Sequence, residues 1–214
     1  MATMLRLLTA GESHGRALMA VLEGVPAGLP LSEEDIARDL ARRQLGYGRG
    51  GRMQIEEDRA EIISGVMRGE TTGAPIALWI QNRDWRRDEP ELTRPRPGHA
   101  DLVGVQKYGF RDVRRVLERS SARETAARVA AGAVCRKLLG AFDITIFSHV
   151  TEIGGVAIRE RPERWEEVAA RAAASVVRCA DPEVEEAMKA AIDAAAARGD
   201  TLGGVFEVVA LGLP

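Results

Sequence analysis

The sequence predicts a chain of mixed α and β structure, and three stretches carry that prediction. Two short apolar runs, residues 4–8 and 17–22, bracket a polar, glycine-flanked turn, which is the pattern of a hairpin. Residues 125–139 are alanine-rich and follow Ser121 and Glu124 at capping-box spacing, which is the pattern of a helix. Residues 144–150 alternate and are rich in β-branched side chains, suiting a half-buried strand.

Taken in order, the first run is halted by Thr9-Ala10-Gly11. The turn Gly11-Glu12-Ser13-His14-Gly15 then places Ser13 and His14 at or near the hairpin tip. Beyond Pro26 and Pro30, Ser32 is a good N-cap, followed by the acids Glu33, Glu34 and Asp35 and by Ile36 and Leu40 four apart. That helix ends in Arg42-Arg43, cations that suit the negative end of its dipole. Residues 60–66 and 75–80 predict strands separated by a glycine-rich turn. Residues 82–97 are so dense in charge and proline that they predict a long surface loop, and loops of that length are often functional. Residues 162–174 and 182–198 predict helices, the second opening with Asp181 as N-cap and Pro182 at the first helical position. Residues 203–209 begin a further strand. There is no internal repeat and no low-complexity tail.

With 214 residues, 45% hydrophobic and 29% charged, the chain has material for a substantial core, in one domain or one domain and part of another. A net charge of −2 excludes a general nucleic-acid or membrane-surface binder and makes any basic cluster a local feature. Cys135 and Cys179 show no metal-ligand spacing and read as reduced thiols partly buried in a core. No secretory leader and no apolar run of membrane-spanning length is evident, so a cytoplasmic protein is expected, with no metal and no membrane partner.

The most unusual stretch is Gly46-Tyr47-Gly48-Arg49-Gly50-Gly51-Arg52, which the helix ending in Arg42-Arg43 delivers. Glycines at 46, 48, 50 and 51 let the backbone approach a ligand closely, and guanidinium forks match phosphate or carboxylate bidentately. A solvated basic loop is the plainer reading of the same composition. Arg119, Ser120 and Ser121 precede the alanine-rich helix, where amides and the helix dipole favour an anion. Of the three histidines, His14 and His99 sit in glycine-flanked polar turns, whereas His149 lies in an apolar run and reads as structural. Imidazole titrates near neutrality, so the two loop histidines suit general acid work on an anionic leaving group.

Standard nucleotide motifs do not fit. The glycine loop lacks Gly-Lys-Ser/Thr and follows a helix, which excludes a P-loop and a dinucleotide fingerprint; there is no Gly-x-Ser-x-Gly elbow and no His-Glu-x-x-His. A polyanionic small molecule or a phosphorylated cofactor remains.

Several blocks in one order resemble chorismate synthase: Gly11-Glu12-Ser13-His14-Gly15, Gly46-Tyr47-Gly48-Arg49-Gly50, Arg52-Met53-Gln54-Ile55-Glu56, Arg94-Pro95-Arg96-Pro97-Gly98-His99-Ala100-Asp101, Gln106-Lys107-Tyr108-Gly109 and Arg119-Ser120-Ser121-Ala122-Arg123-Glu124-Thr125. The resemblance continues through Gly199-Asp200-Thr201-Leu202-Gly203-Gly204. It implies an α+β fold, a sandwich of helices between antiparallel sheets, here incomplete at the C-terminus and forming one domain over residues 1–214. It implies trans-1,4-elimination of phosphate from 5-enolpyruvylshikimate 3-phosphate to give chorismate, with reduced FMN as cofactor and NADPH as reductant in members that reduce their own flavin. It also implies a homotetramer at full length.

By the same resemblance, His14 protonates the departing phosphate beside Ser13, and His99 protonates or stabilises the reduced flavin. Arg43, Arg49, Arg52 and Arg123 match substrate contacts, Arg43 and Arg49 also match NADP contacts, and Arg119, Ser120 and Ser121 match an FMN-contacting turn. Family members are considerably longer, so the chain resembles their N-terminal part, and little activity is expected of it alone. Two other readings compete: a non-catalytic module binding a phosphate ligand or RNA through the Gly/Arg loop, and an FMN oxidoreductase performing net hydride transfer. An aromatic content of 4% and the negative charge disfavour RNA, and no substrate motif supports the oxidoreductase.

Overall fold

A computed structural model describes residues 4–48, 57–85 and 90–214. Arg49 and Arg52 lie outside the described residues. The chain divides into two compact units, Met1–Gln44 with Gly51–Leu138, and Leu45–Gly50 with Leu139–Pro214.

The first unit is built on a four-stranded antiparallel sheet in the order β1 (Arg6–Gly11), β2 (Ala17–Glu23), β6 (Ile76–Gln81), β3 (Ala60–Ser64). Its register explains its buried face. Leu18, Ala20 and Leu22 of β2 stand opposite Ile80, Leu78 and Ile76 of β6, and all six are almost inaccessible to solvent. Side chains alternate across a strand, so this single register sends six apolar groups to one side. Helix α1 (Glu33–Gln44) contributes Ile36 and Leu40 to that core. Helix α4 (Thr125–Gly140) contributes Ala126, Ala127, Ala130, Ala131 and Val134. Small alanines let the helix lie close to its neighbours, as their sequence density predicts.

Ser32 begins α1 as expected: its hydroxyl accepts from the Asp35 N–H at 3.4 Å, while Asp35 Oδ2 accepts from the Ser32 N–H at 3.1 Å. Strand β1 runs on through Thr9-Ala10-Gly11 instead of stopping there, because Gly11 pairs with Leu18 across the hairpin. Gly11 has φ of 101°, and a Cβ there would sit 2.3 Å from the Ala17 carbonyl oxygen. The residue that looked like a stop is the one that permits the close pairing.

Three elements are absent from the sequence expectation in this unit. The glycine-rich turn after β3 is itself a small hairpin, β4 (Val66–Met67) with β5 (Glu70–Thr71). Two helices, α2 (Asp101–Tyr108) and α3 (Arg114–Ser120), follow the long loop. Residues 101–108 include Val103, Gly104 and Val105, poor helix formers by intrinsic propensity. Tertiary packing overrides that preference: a Cβ on Gly104 would lie 2.2 Å from Val116 of α3, so the glycine is what lets the two helices meet.

In the second unit, β7 (Thr145–Ile153) pairs with β8 (Val156–Ala157) and β9 (Gly204–Leu211) in a three-stranded antiparallel sheet. Helices α5 (Trp165–Ala174) and α6 (Pro182–Ala197) supply Val168, Val184 and Met188 to two small cores with Phe147, Val177, Cys179 and Ala180. Asp181 caps α6, accepting from the N–H groups of Glu183 and Val184 with Pro182 in the first turn, as its sequence predicts. Burial pushes the thiols of Cys135 and Cys179 up, away from reactive thiolates. Helices on antiparallel sheets put the chain in the α+β class. Among the described residues no helix is long and apolar enough to cross a membrane.

Candidate functional site

The turn between β1 and β2 is wired to the junction of α3 and α4. The Ser13 N–H donates to the Glu118 carbonyl at 3.1 Å, and the Ser13 hydroxyl donates to the Ser121 hydroxyl at 3.0 Å. The His14 N–H donates to Glu118 Oε2 at 2.6 Å, and His14 Nδ1 lies 2.9 Å from Glu118 Oε1. Asp84 Oδ2 is 3.9 Å from the other ring nitrogen, Nε2. Asn82 closes the same turn, its amide donating to the carbonyls of Glu12 at 3.0 Å and Gly15 at 2.8 Å.

The arginines enter through Asn82 and Asp58. Arg123 is buried; its Nε donates to Asn82 Oδ1 at 2.8 Å and its Nη1 to Asp58 Oδ1. Arg43 Nη1 donates to the second oxygen of the same carboxylate at 2.8 Å. Arg43 also donates to Thr125 Oγ1 and to the Ala122 carbonyl at the start of α4. One fully buried carboxylate thus holds two guanidinium groups drawn from the end of α1 and the start of α4.

Arg119 donates to the Gly11 carbonyl at 2.6 Å, joining the same turn from the other side. The expectation that Arg119, Ser120 and Ser121 together open a helix is corrected. Arg119 and Ser120 belong to the last turn of α3, where the Ser120 hydroxyl donates to the Val116 carbonyl at 2.9 Å. Ser121 alone stands at a helical N-terminus, accepting from the Arg123 N–H in a 3-10 turn, Ala122–Glu124, that leads into α4. Nor does Glu124 complete a capping box: its carboxylate accepts from Thr9 at 2.7 Å and Arg128 at 2.9 Å.

His99 is exposed, with Nδ1 3.2 Å from the Pro97 carbonyl. Its neighbour Asp101 is buried and accepts from Arg96 Nε and Nη2, both at 2.9 Å. The Arg96 side-chain hydrogen bond holds the Asp101 carboxyl below the usual range, against the opposing pull of burial. The pair His149 and Glu207, by contrast, is part of the β7–β9 ladder, with Nε2 2.9 Å from Glu207 Oε2.

Asp58, Asn82 and Glu118 carry this network, and sequence reading assigned none of them a role. Charge balance is the signal that was available: arginines destined for a core need a buried carboxylate. On the α1 side of Asp58 a cleft of about 500 Å³ is lined by charged groups of both signs, Glu33, Glu34, Arg38, Glu57, Asp58 and Arg59.

Residues 5–214 match the sequence model of the family described as chorismate synthase. The chain belongs to the chorismate synthase family. It is 58% identical to a chorismate synthase of Rubrobacter xylanophilus, over 96% of this chain and 56% of that protein. It is 55% identical to one of Geobacter sulfurreducens, over 99% of this chain and 57% of that protein. A crystal structure titled as chorismate synthase superimposes with a TM-score of 0.83 at 49% identity, covering 98% of this chain and 58% of the other. The chain thus spans less than two thirds of the length of the relatives it matches. The fold and family membership agree with the sequence resemblance.

Proposed function

We propose that the network around Ser13 and His14 is a share of a chorismate synthase active centre. There, 5-enolpyruvylshikimate 3-phosphate loses phosphate by 1,4-elimination to give chorismate. The observation that carries this is the joining of residues from four separated stretches. Ser13 and His14, Arg43, Asn82, and Arg119 with Ser121 and Arg123 meet in one hydrogen-bonded cluster.

The substrate is a trianionic metabolite, and its phosphate and carboxylates need bidentate cations. In this reading Arg43 and Arg123 supply the positive field, held in place by Asp58, and Arg49 and Arg52 supply the remaining contacts. Arg43 and Arg49 would also serve NADP where the protein reduces its own flavin. His14, beside Ser13, hands a proton to the departing phosphate.

Reduced FMN is the cofactor in this reading, and it supplies transient electron density to the breaking C–O bond. Arg119 and Ser120, at the end of α3, and Ser121, at the start of the following 3-10 turn, are the residues that would hold it. His99, on an exposed turn, would face its ring system. Residues 1–214 act here as one chorismate synthase-like domain, cytoplasmic and tetrameric in the longer form. Contacts supplied by the remaining length of the relatives lie outside the reading.

Flavin retention tests the assignment. Protein mixed with FMN and substrate or product should stay yellow through desalting, and Arg119→Ala should weaken that retention. A folded but colourless protein overturns the reading, and RNA binding with a steep salt dependence would favour the binding-module alternative.

A further inference from the structure

Glu118 makes three contacts to two consecutive residues of the opposite turn. Its carbonyl accepts the Ser13 N–H, its Oε2 accepts the His14 N–H, and its Oε1 faces His14 Nδ1 at 2.9 Å. The side chain is only 12% exposed, so water does not readily replace these partners.

The donor and acceptor inventory of these groups leaves one arrangement. A backbone N–H can only donate, so Oε2 is committed as its acceptor. An ionised carboxylate is acceptor-only, so Oε1 must receive a hydrogen from whatever faces it. The group facing it is His14 Nδ1, which therefore carries the ring hydrogen. We propose that Glu118 is the positioning residue of His14, pinning a hydrogen on Nδ1 so that Nε2 is the nitrogen that exchanges a proton with the phosphate ester.

The assignment of Nε2 to phosphate rests on the reading of the site given above. In the step itself, imidazolium Nε2–H passes its proton to a phosphate oxygen as the C–O bond breaks. The ring is left neutral with its hydrogen still on Nδ1, and no proton passes through Glu118. Orientation follows from the same contacts. Two carboxylate oxygens on the backbone and ring of one residue hold the imidazole plane, which matters because a general acid works only within hydrogen-bond reach of its target.

Glu118→Gln tests the assignment sharply because it preserves shape while changing the inventory. A carboxamide has one acceptor oxygen. The His14 N–H claims that oxygen, so the NH₂ turns towards Nδ1, which must then become an acceptor. The ring hydrogen moves to Nε2.

Long-range ¹H–¹⁵N imidazole spectra of the 214-residue chain, recorded at about pH 9, where free imidazole is neutral, read this directly. Only three histidines are present, and His14→Gln assigns the signal. His149 is an internal reference of the opposite tautomer, since its Nε2 faces the Glu207 carboxylate.

The expected result is a hydrogen on Nδ1 of His14 in the wild type and on Nε2 in Glu118→Gln, with the His149 pattern unchanged. A wild-type His14 with its hydrogen on Nε2, or the same tautomer in both proteins, overturns the assignment. The wild-type spectrum decides by itself should the variant fail to fold. Adding 5-enolpyruvylshikimate 3-phosphate separates the two claims. A shift at His14 Nε2 with His149 unmoved supports the functional reading, whereas an unmoved His14 of the right tautomer overturns that reading and leaves the role of Glu118 standing.

Discussion

The molecule contains two histidine–glutamate pairs of equal length, 2.9 Å each, and they do different work. His14 sits on a turn, partly open to solvent, and its neighbours come from the β1–β2 turn, the loop after β6, and α3. His149 sits inside β7 with its side chain sealed from water, packed edge-on to Trp165, and its partner is the residue directly opposite in β9. Its second nitrogen, Nδ1, is buried with no hydrogen-bond partner among the described residues. The first pair is over-determined, joined through Glu118, Asn82 and Asp58 to two arginines. The second is one rung of a ladder with an unsatisfied atom. The difference teaches that two His–Glu contacts of equal length can sit in opposite settings, one within a web of held polar groups and one alone in an apolar ladder.

Four substitutions or titrations would break or sharpen that contrast. The largest effect is expected from Asp58→Ala. Its carboxylate is fully buried between Arg43 and the buried Arg123, so removal takes away the anion that both guanidinium groups share and should destabilise the protein by about 3–5 kcal/mol in denaturant unfolding. A change below about 1 kcal/mol would show the arginines to be adequately solvated without it. Next comes Thr9→Val, which leaves a buried-side acceptor of Glu124 unpaired and should cost about 1 kcal/mol by the same measurement.

Acid should weaken the Arg96–Asp101 contact through Asp101. Its folded pKa is depressed, chiefly by the Arg96 hydrogen bond, so the unfolded state binds the extra proton at higher pH than the folded state. That contribution is fully present above the ordinary aspartate value near 4 and is lost as pH falls through the lower folded value. Unfolding midpoints followed from about pH 5 downward should decline less steeply in Asp101→Asn than in the wild type. Identical slopes would remove Asp101 from the account.

The smallest effect is expected from His149→Leu. It deletes one hydrogen bond to a half-exposed glutamate and one unsatisfied buried nitrogen together, so the net change should stay within about 1 kcal/mol. A loss of several kcal/mol would mean that the buried ring is held by more than its single rung.

Much of the architecture was legible one residue at a time. Ser32 with Asp35, and Asp181 with Pro182, announced helices because a cap is a local hydrogen bond between neighbours in sequence. The apolar run of residues 17–22 announced β2 because a short unbroken apolar stretch next to a polar turn suits a buried strand. Helices α2 and α3 were not legible, since Gly104 reads as a breaker until Val116 is seen against it. Ser121 and Glu124 had the spacing of a capping box, yet Glu124 turned to Thr9, over a hundred positions away, which no local pattern contains.

For the site, the sequence alone nominated the reactive types and their family: Ser13, His14, His99, the arginines and the serines of the α3–α4 junction. Those depend on residue identity, which is written in the chain. Tertiary structure decided which of them share a network, that Asp58 holds Arg43 and Arg123, and which nitrogen of His14 faces Glu118. Each of those is a contact between residues separated by at least 15 positions. Its energy exists only once folding has brought a donor within hydrogen-bond distance of an acceptor and taken both out of water.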